Sequence, residues 1–187
     1  MIRRSIGRAV LWSRRWRIEG DPPALPKYVF LAAPHTSNWD LLYLLAISFA
    51  SGVRMSWLGK ESLFRWPLGL VLRPLGGIPV ARNQRSGLVA SLAREFAAAD
   101  RLVVVVPPEG TRSRTDHWRT GFYRIACAAE VPIVCGYLDY SRRVGGFGPV
   151  IEPSGDIAVD LALFQEFYAD KQGKYPDEHS DIALRPE

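Results

Sequence analysis

The chain has 187 residues, 48% of them apolar and 23% charged, with a formal charge of +5, the balance of a globular domain long enough to bury a proper core. That composition excludes intrinsic disorder, collagen-like repeats and coiled coil. The two cysteines, Cys127 and Cys135, follow no zinc-ligand or disulfide-scaffold spacing, so we expect reduced, mostly buried thiols and no metal module or stapled secreted domain.

The first element is a basic head. Residues 1–18 carry six arginines and no acid, whereas residues 152–187 carry three bases and nine acids. On a helical wheel of about 100° per residue, Ile2, Ile6, Ala9, Val10, Trp12, Ser13 and Trp16 share one side. Arg3, Arg4, Arg8, Arg14 and Arg15 lie opposite, and Leu11, Arg17 and Ile18 break the pattern. An apolar face with two tryptophans opposite an arginine face suits an interfacial helix over residues 1–20, with indole at the headgroup boundary and arginine on anionic lipid. The same segment also reads as a surface helix docked on its own domain, or as an Arg-rich transit peptide. No aromatic stacking set or nucleic-acid reading element accompanies the basic stripe, which argues against a nucleic-acid partner. The most apolar helical stretch, residues 41–50, is half of the roughly 20 residues a bilayer span needs, so any membrane association is expected to be peripheral, without a transmembrane helix.

From residue 27 onward strands alternate with helices. Residues 27–33 form a short apolar run between Pro26 and Pro34 and read as a buried strand. Ser37 or Asn38 can cap a helix that runs to about residue 50 and stops before Gly52. Short strands are expected near 53–58 and 78–81, a helix over 86–99, and the clearest strand over 102–106. A helix over 121–129, a strand over 132–137, a Gly-rich strand or turn over 144–151 and a last helix from 157 to about 171 complete the domain, residues 21–173. Residues 174–187 read as a polar, poorly ordered tail. Such alternation predicts a single-domain α/β sandwich with a largely parallel central sheet flanked by helices.

In such sheets the chemistry sits in loops at the carboxyl ends of strands. Two polar loops qualify. The first is Pro34-His35-Thr36-Ser37-Asn38-Trp39-Asp40. His35 and Asp40 would point about 140° apart on one continuous helix, so they meet only if His35 is in the loop and Asp40 in the first helical turn. A carboxylate on one imidazole nitrogen leaves the other free to take a proton from an alcohol. The plainer alternative is that Asp40 favours the helix N-terminus and His35 is a surface residue. The second loop contains Glu109-Gly110-Thr111-Arg112, a carboxylate, a turn-forming glycine, a hydroxyl and a guanidinium suited to bidentate phosphate capture, or else an ordinary turn with a salt bridge. No Gly-x-Ser-x-Gly elbow is present and neither cysteine has a nucleophile's neighbourhood, so no covalent enzyme intermediate is expected. His35, His117 and His179 are scattered, and no metal-ligand set is evident.

The pair His-x4-Asp (His35, Asp40) and Pro-Glu-Gly-Thr-Arg (Pro108 to Arg112) resembles the glycerolipid acyltransferases, especially the 1-acylglycerol-3-phosphate (lysophosphatidic acid) acyltransferase group. Gly59-Lys60-Glu61, Gly76-Gly77-Ile78-Pro79-Val80-Ala81-Arg82 and Val131-Pro132-Ile133-Val134 resemble two further family blocks, and Trp118-Arg119-Thr120-Gly121 a family Lys-x-Gly element with arginine for lysine. The resemblance spans about residues 27–139. It implies an O-acyltransferase in which His35 is the base, Asp40 its orienting partner, and Lys60, Arg82 and Arg112 hold acceptor phosphate, with Glu109, Gly110 and Thr111 shaping that site. It also implies acyl-coenzyme A or acyl carrier protein as donor, a lysophospholipid as acceptor, no cofactor, and a place on the cytoplasmic face of a membrane reached through residues 1–18. Relatives with the same chemistry acylate non-phosphate lipids such as glycolipids or ornithine-type lipids, which is the alternative acceptor class. A non-catalytic lipid-binding module is the alternative from another class.

Overall fold

The strand and helix periods resolve into a seven-stranded sheet in the computed structural model, which describes residues 2–81 and 85–185, the side chains of 85 and 86 excepted. In chain order the elements are α1 (Ile2–Ser13), β1 (Arg17–Glu19), β2 (Lys27–Ala32), α2 (Trp39–Ser51), β3 (Ser56–Lys60), α3 (Gly69–Leu72), β4 (Gly77–Val80) and α4 (Arg85–Ala98). Then follow β5 (Leu102–Val106), α5 (Gly121–Ala129), β6 (Ile133–Asp139), β7 (Val144–Ile151) and α6 (Ile157–Tyr168). Across the sheet the order is β1-β7-β6-β2-β5-β3-β4, and every neighbouring pair is parallel except β6 with β7. This is the α/β sandwich with a leading helix that the sequence predicts.

The apolar runs of β2 and β5 serve two cores. Val29, Leu31, Val104 and Val106 face one side, with Leu92 and Phe96 of α4, Phe122 and Ile125 of α5, and Phe164 and Tyr168 of α6. Tyr28, Phe30, Val103 and Val105 face the other, with Tyr43, Ala46 and Ile47 of α2 and Leu11 of α1. A strand buried on both faces carries apolar residues at every position. The phenol of the fully buried Tyr168 lies 2.9 Å from the Leu31 carbonyl and 3.0 Å from that of Gly136, so its polar end is satisfied where β2 meets β6. Truncating a side chain as buried as Phe164 would cost about 3–5 kcal/mol.

The head departs from expectation in a specific way. Residues 1–20 do not form one helix: α1 ends at Ser13, Arg15 takes a left-handed φ of 58°, and Arg17–Glu19 becomes an edge strand on β7. Helix α1 lies on α2 through Gly7 and Leu11, the sector of the wheel flanked by the arginines. A Cβ on Gly7 would stand 2.5 Å from the Ala46 carbonyl oxygen and 2.6 Å from the Ala50 nitrogen, so only glycine allows this crossing. Leu11, which breaks the apolar pattern, is thus the docked residue. Trp16, expected on the lipid-facing side, is buried and stacked on Tyr43 at 4.1 Å. Ile2, Ile6 and Trp12 keep their exposure, Trp12 at 83%, and form an outward apolar stripe.

Two smaller corrections follow. Residues 174–185 do not trail away as a poorly ordered tail. Tyr175 N–H donates to Thr36 Oγ1 (3.2 Å), Arg114 N–H to Glu178 Oε2 (2.9 Å), Thr115 N–H to Ser180 Oγ (3.0 Å) and Trp118 N–H to the Ala183 carbonyl (2.9 Å). Main-chain donors of the β5–α5 connection need acceptors, and the tail supplies them. Cys135 is buried as expected, but Cys127 is exposed. Among the described residues no helix is long and apolar enough to cross a membrane. Helix α2, sandwiched between α1 and the sheet, is apolar all round because it is covered on both sides.

Candidate active site

Strand β2 lies between β6 and β5, so the loop that leaves its carboxyl end is flanked by the ends of both neighbours. His35 is in that loop and Asp40 in the first turn of α2, the arrangement the five-residue spacing requires. His35 Nδ1 is 2.9 Å from Asp40 Oδ2. With Nδ1 donating to the carboxylate, Nε2 presents its lone pair outward, and the imidazole is 25% exposed against 9% for the Asp40 side chain.

Asp40 is fixed from three directions. Ser37 N–H donates to Oδ2 at 3.0 Å, while Ser37 Oγ accepts Trp39 N–H at 3.2 Å. The carboxylate reaching back to the Ser37 N–H is half of a capping box, and Ser37 Oγ caps the helix one position earlier, at Trp39 N–H. Ser37 is thus the cap, and Asn38 makes no side-chain cap bond. Tyr140, just beyond β6, donates its hydroxyl to the other carboxylate oxygen, Oδ1, at 2.6 Å. Burial first, and then the bond to Asp40, push the Tyr140 phenol up, so it stays a donor. Tyr140 packs edge-on against Trp16 at 4.9 Å and Tyr43 at 5.7 Å, tying the carboxylate to the corner where the head enters the sheet.

From the β5 side, Glu109 Oε1 accepts the His35 backbone N–H at 3.0 Å. Glu109 is 3% exposed, and its second oxygen has no hydrogen-bond partner among the described residues. Burial pushes its carboxyl up to about 7, against the lowering effect of the backbone bonds and His35. The resemblance implies that Glu109 shapes the acceptor site, but the carboxylate is turned inward, beneath the His35 loop. Gly110 follows with a φ of 64°, and a Cβ there would meet Arg119 Cδ at 2.8 Å. Glycine therefore lets the chain turn under the Arg119 side chain.

Beyond that turn Thr111 is half-buried and Arg112 exposed. Arg112 has no ion pair among the described residues. It lines a cavity of about 460 Å³ together with Thr36, Ser113, Tyr175, Asp177 and Glu178. Lys60 closes β3, is exposed, and does not line that cavity. Arg82 lies outside the described residues. The structure thus brings together His35, Asp40 and Glu109, places Arg112 beside them through Thr36, and leaves Lys60 apart. Among the described residues no group of three His, Cys, Asp or Glu side chains is placed to hold a metal.

Sequence reasoning misses Tyr140 and the acidic pair Asp177 and Glu178. Nothing local marks Tyr140, because its role depends on β6 pairing with β2. The nine acids of the C-terminal segment were the one available signal for the second.

A family model described as Acyltransferase matches residues 18–138, more than half of the chain, and the chain belongs to the acyltransferase family. A crystal structure of the 1-acyl-sn-glycerophosphate (LPA) acyltransferase PlsC from Thermotoga maritima superposes over 92% of this chain and 80% of that one, with a TM-score of 0.59 and 16% identity. At that identity the likeness establishes the fold. None of the curated proteins matches the sequence.

Proposed function

We propose that this acyltransferase moves a fatty acyl group from an acyl thioester to the hydroxyl of a lysophospholipid such as 1-acylglycerol-3-phosphate, a step of phospholipid biosynthesis. The observation that carries the reading is the 2.9 Å bond from His35 Nδ1 to a carboxylate held by two further donors, with Nε2 left open at the strand-end surface. In this reading both substrates are present at once. Nε2 takes the acceptor hydroxyl proton as its oxygen attacks the thioester carbonyl, the new C–O bond forms, the C–S bond breaks, and the imidazolium returns the proton to the departing thiolate. Proximity and proton transfer supply the rate. Arg112, aided by Thr111 and the Gly110 turn, holds the acceptor phosphate; the further phosphate roles that the resemblance implies for Lys60 and Arg82 rest on the sequence alone. Coenzyme A or acyl carrier protein delivers the acyl group.

The exposed stripe of Ile2, Ile6 and Trp12 supports peripheral contact with an anionic membrane on its cytoplasmic face. The contact is narrower than residues 1–20, because Leu11 and Trp16 are spent on the domain itself. A second acceptor class is favoured by one observation: Asp177 and Glu178 share the Arg112 cavity, a mixed-charge lining that suits an amino-acid-derived lipid. An acceptor panel separates the two. With oleoyl-coenzyme A as donor, lysophosphatidic acid is expected to be acylated at least about tenfold faster than monoacylglycerol or lyso-ornithine lipid, the discrimination a charge-assisted phosphate contact supplies. Faster turnover of the ornithine-type acceptor would overturn the phosphate reading in favour of the second.

A further inference from the structure

The Arg112 cavity lies on the β5 side of β2. On the other side, between the α1–β1 corner, the start of α2 and the β6–β7 turn, is a second cavity of about 530 Å³. Four cations converge on it: Arg14, Arg15, Arg143 and Lys174. None has an ion pair among the described residues, and no acid lines the cavity. Like charges gathered without a counter-charge repel one another, so the arrangement favours an anion between them. Trp39 gathers two of them, Arg14 at 5.8 Å and Lys174 at 5.1 Å from its ring. Arg15 and Arg143 adopt φ values of 58° and 52°, a left-handed conformation that glycine would adopt at least cost, yet both positions carry guanidinium groups.

The remaining walls are aromatic: Trp16, Tyr43 and Tyr140. Tyr140 is the residue whose hydroxyl reaches Asp40 at 2.6 Å, so this cavity backs directly onto the His35–Asp40 pair. A two-substrate transfer at His35 needs two polar ends held apart, and the sheet order puts the mixed-charge Arg112 cavity on one side of β2 and this cationic cavity on the other. Resting on the acyltransferase reading above, we propose that this second cavity binds the phosphate-rich end of the acyl donor, the 3′-phospho-ADP portion of coenzyme A. Its cations meet the phosphates, its aromatic walls meet the planar base, and the flexible pantetheine arm carries the thioester round to His35.

The test is calorimetric titration of the full chain with coenzyme A, dephospho-coenzyme A and pantetheine, alongside sedimentation with vesicles containing phosphatidic acid. Arg14→Ala combined with Arg143→Ala, and separately Lys174→Ala from an independent segment, are each expected to weaken coenzyme A binding by about tenfold or more, the loss of a charge-assisted phosphate contact. Dephospho-coenzyme A should bind wild type more weakly than coenzyme A, and pantetheine should not respond to the substitutions. Coenzyme A affinity unchanged in all the variants, or no binding by wild type, overturns the assignment. So does a loss confined to phosphatidic acid vesicles, which would make this a lipid headgroup site. His35→Ala should bind coenzyme A as wild type does. Turnover retained in that variant would break the general-base reading while leaving the cavity assignment intact, so the two failures are distinguishable.

Discussion

The His35–Asp40 pair and the Arg112 cavity stand at the ends of neighbouring strands, yet they differ in how much of the protein holds them. Asp40 receives donors from its own loop, from the imidazole and from the β6–β7 turn, and the His35 backbone is pinned by a buried glutamate. Arg112 is exposed and lines its cavity with residues of the β2–α2 loop and the C-terminal segment. A proton-transfer centre must be held in one geometry, because misplacement by about 1 Å costs about 10²-fold. A headgroup contact tolerates movement. In the proposed reading the proton-transfer pair is therefore held by several elements at once, and the headgroup contact by loops and the C-terminal segment alone.

Substitutions on the two sides should separate accordingly. Short of removing the base itself, Asp40→Asn is expected to have the largest effect, lowering kcat about 10²–10³-fold with the acceptor KM little changed. A change confined to KM would place Asp40 in binding instead. Glu109→Gln should come next, in stability. Since burial raises the Glu109 carboxyl from 4.5 to about 7, the folded protein holds a proton there that the unfolded chain releases between those values. Wild-type stability contributed by this group is therefore greatest below pH 4.5 and declines as pH rises to 7. The glutamine variant should be more stable at pH 8 by roughly 3 kcal/mol, and the two should converge near pH 4.5. Urea unfolding at both pH values checks this, and parallel curves would contradict it.

Arg112→Ala should raise the KM for lysophosphatidic acid about tenfold or more, on the order of 1.5–3 kcal/mol for a charged hydrogen bond, with kcat within a few-fold. A fall in kcat at constant KM would erase the contrast between the two sides. Tyr140→Phe, which keeps the ring and deletes only the hydroxyl, should lower kcat by about three- to tenfold, near 1 kcal/mol, and leave KM alone. Full wild-type kcat in that variant would show the third donor to Asp40 to be dispensable.

What the sequence revealed was set by local constraint. The strand over 102–106 and the helix over 121–129 are found at those residues, and the apolar run of the first is too short and too rich in valine for a helix. The spacing of His35 and Asp40 required a loop-to-helix boundary between them, and the boundary is there. The inward turn of Glu109 was hidden, since a carboxylate in a polar loop looks the same whether it faces substrate or a neighbouring backbone N–H. Tyr140 was hidden because its partner is 100 residues away. The face by which α1 docks was hidden for a related reason. The wheel scored Gly7 as nothing and Leu11 as an exception, whereas close helix crossing selects for small residues at the point of contact.

The proposed reaction stands or falls with His35 as the base. The direct measurement is acyl transfer from oleoyl-coenzyme A to lysophosphatidic acid on anionic vesicles by wild type and His35→Ala, with circular dichroism and thermal unfolding run on the same samples. A folded variant with kcat reduced by about 10³-fold or more is expected. A folded His35→Ala that turns over at a rate near wild type would contradict it.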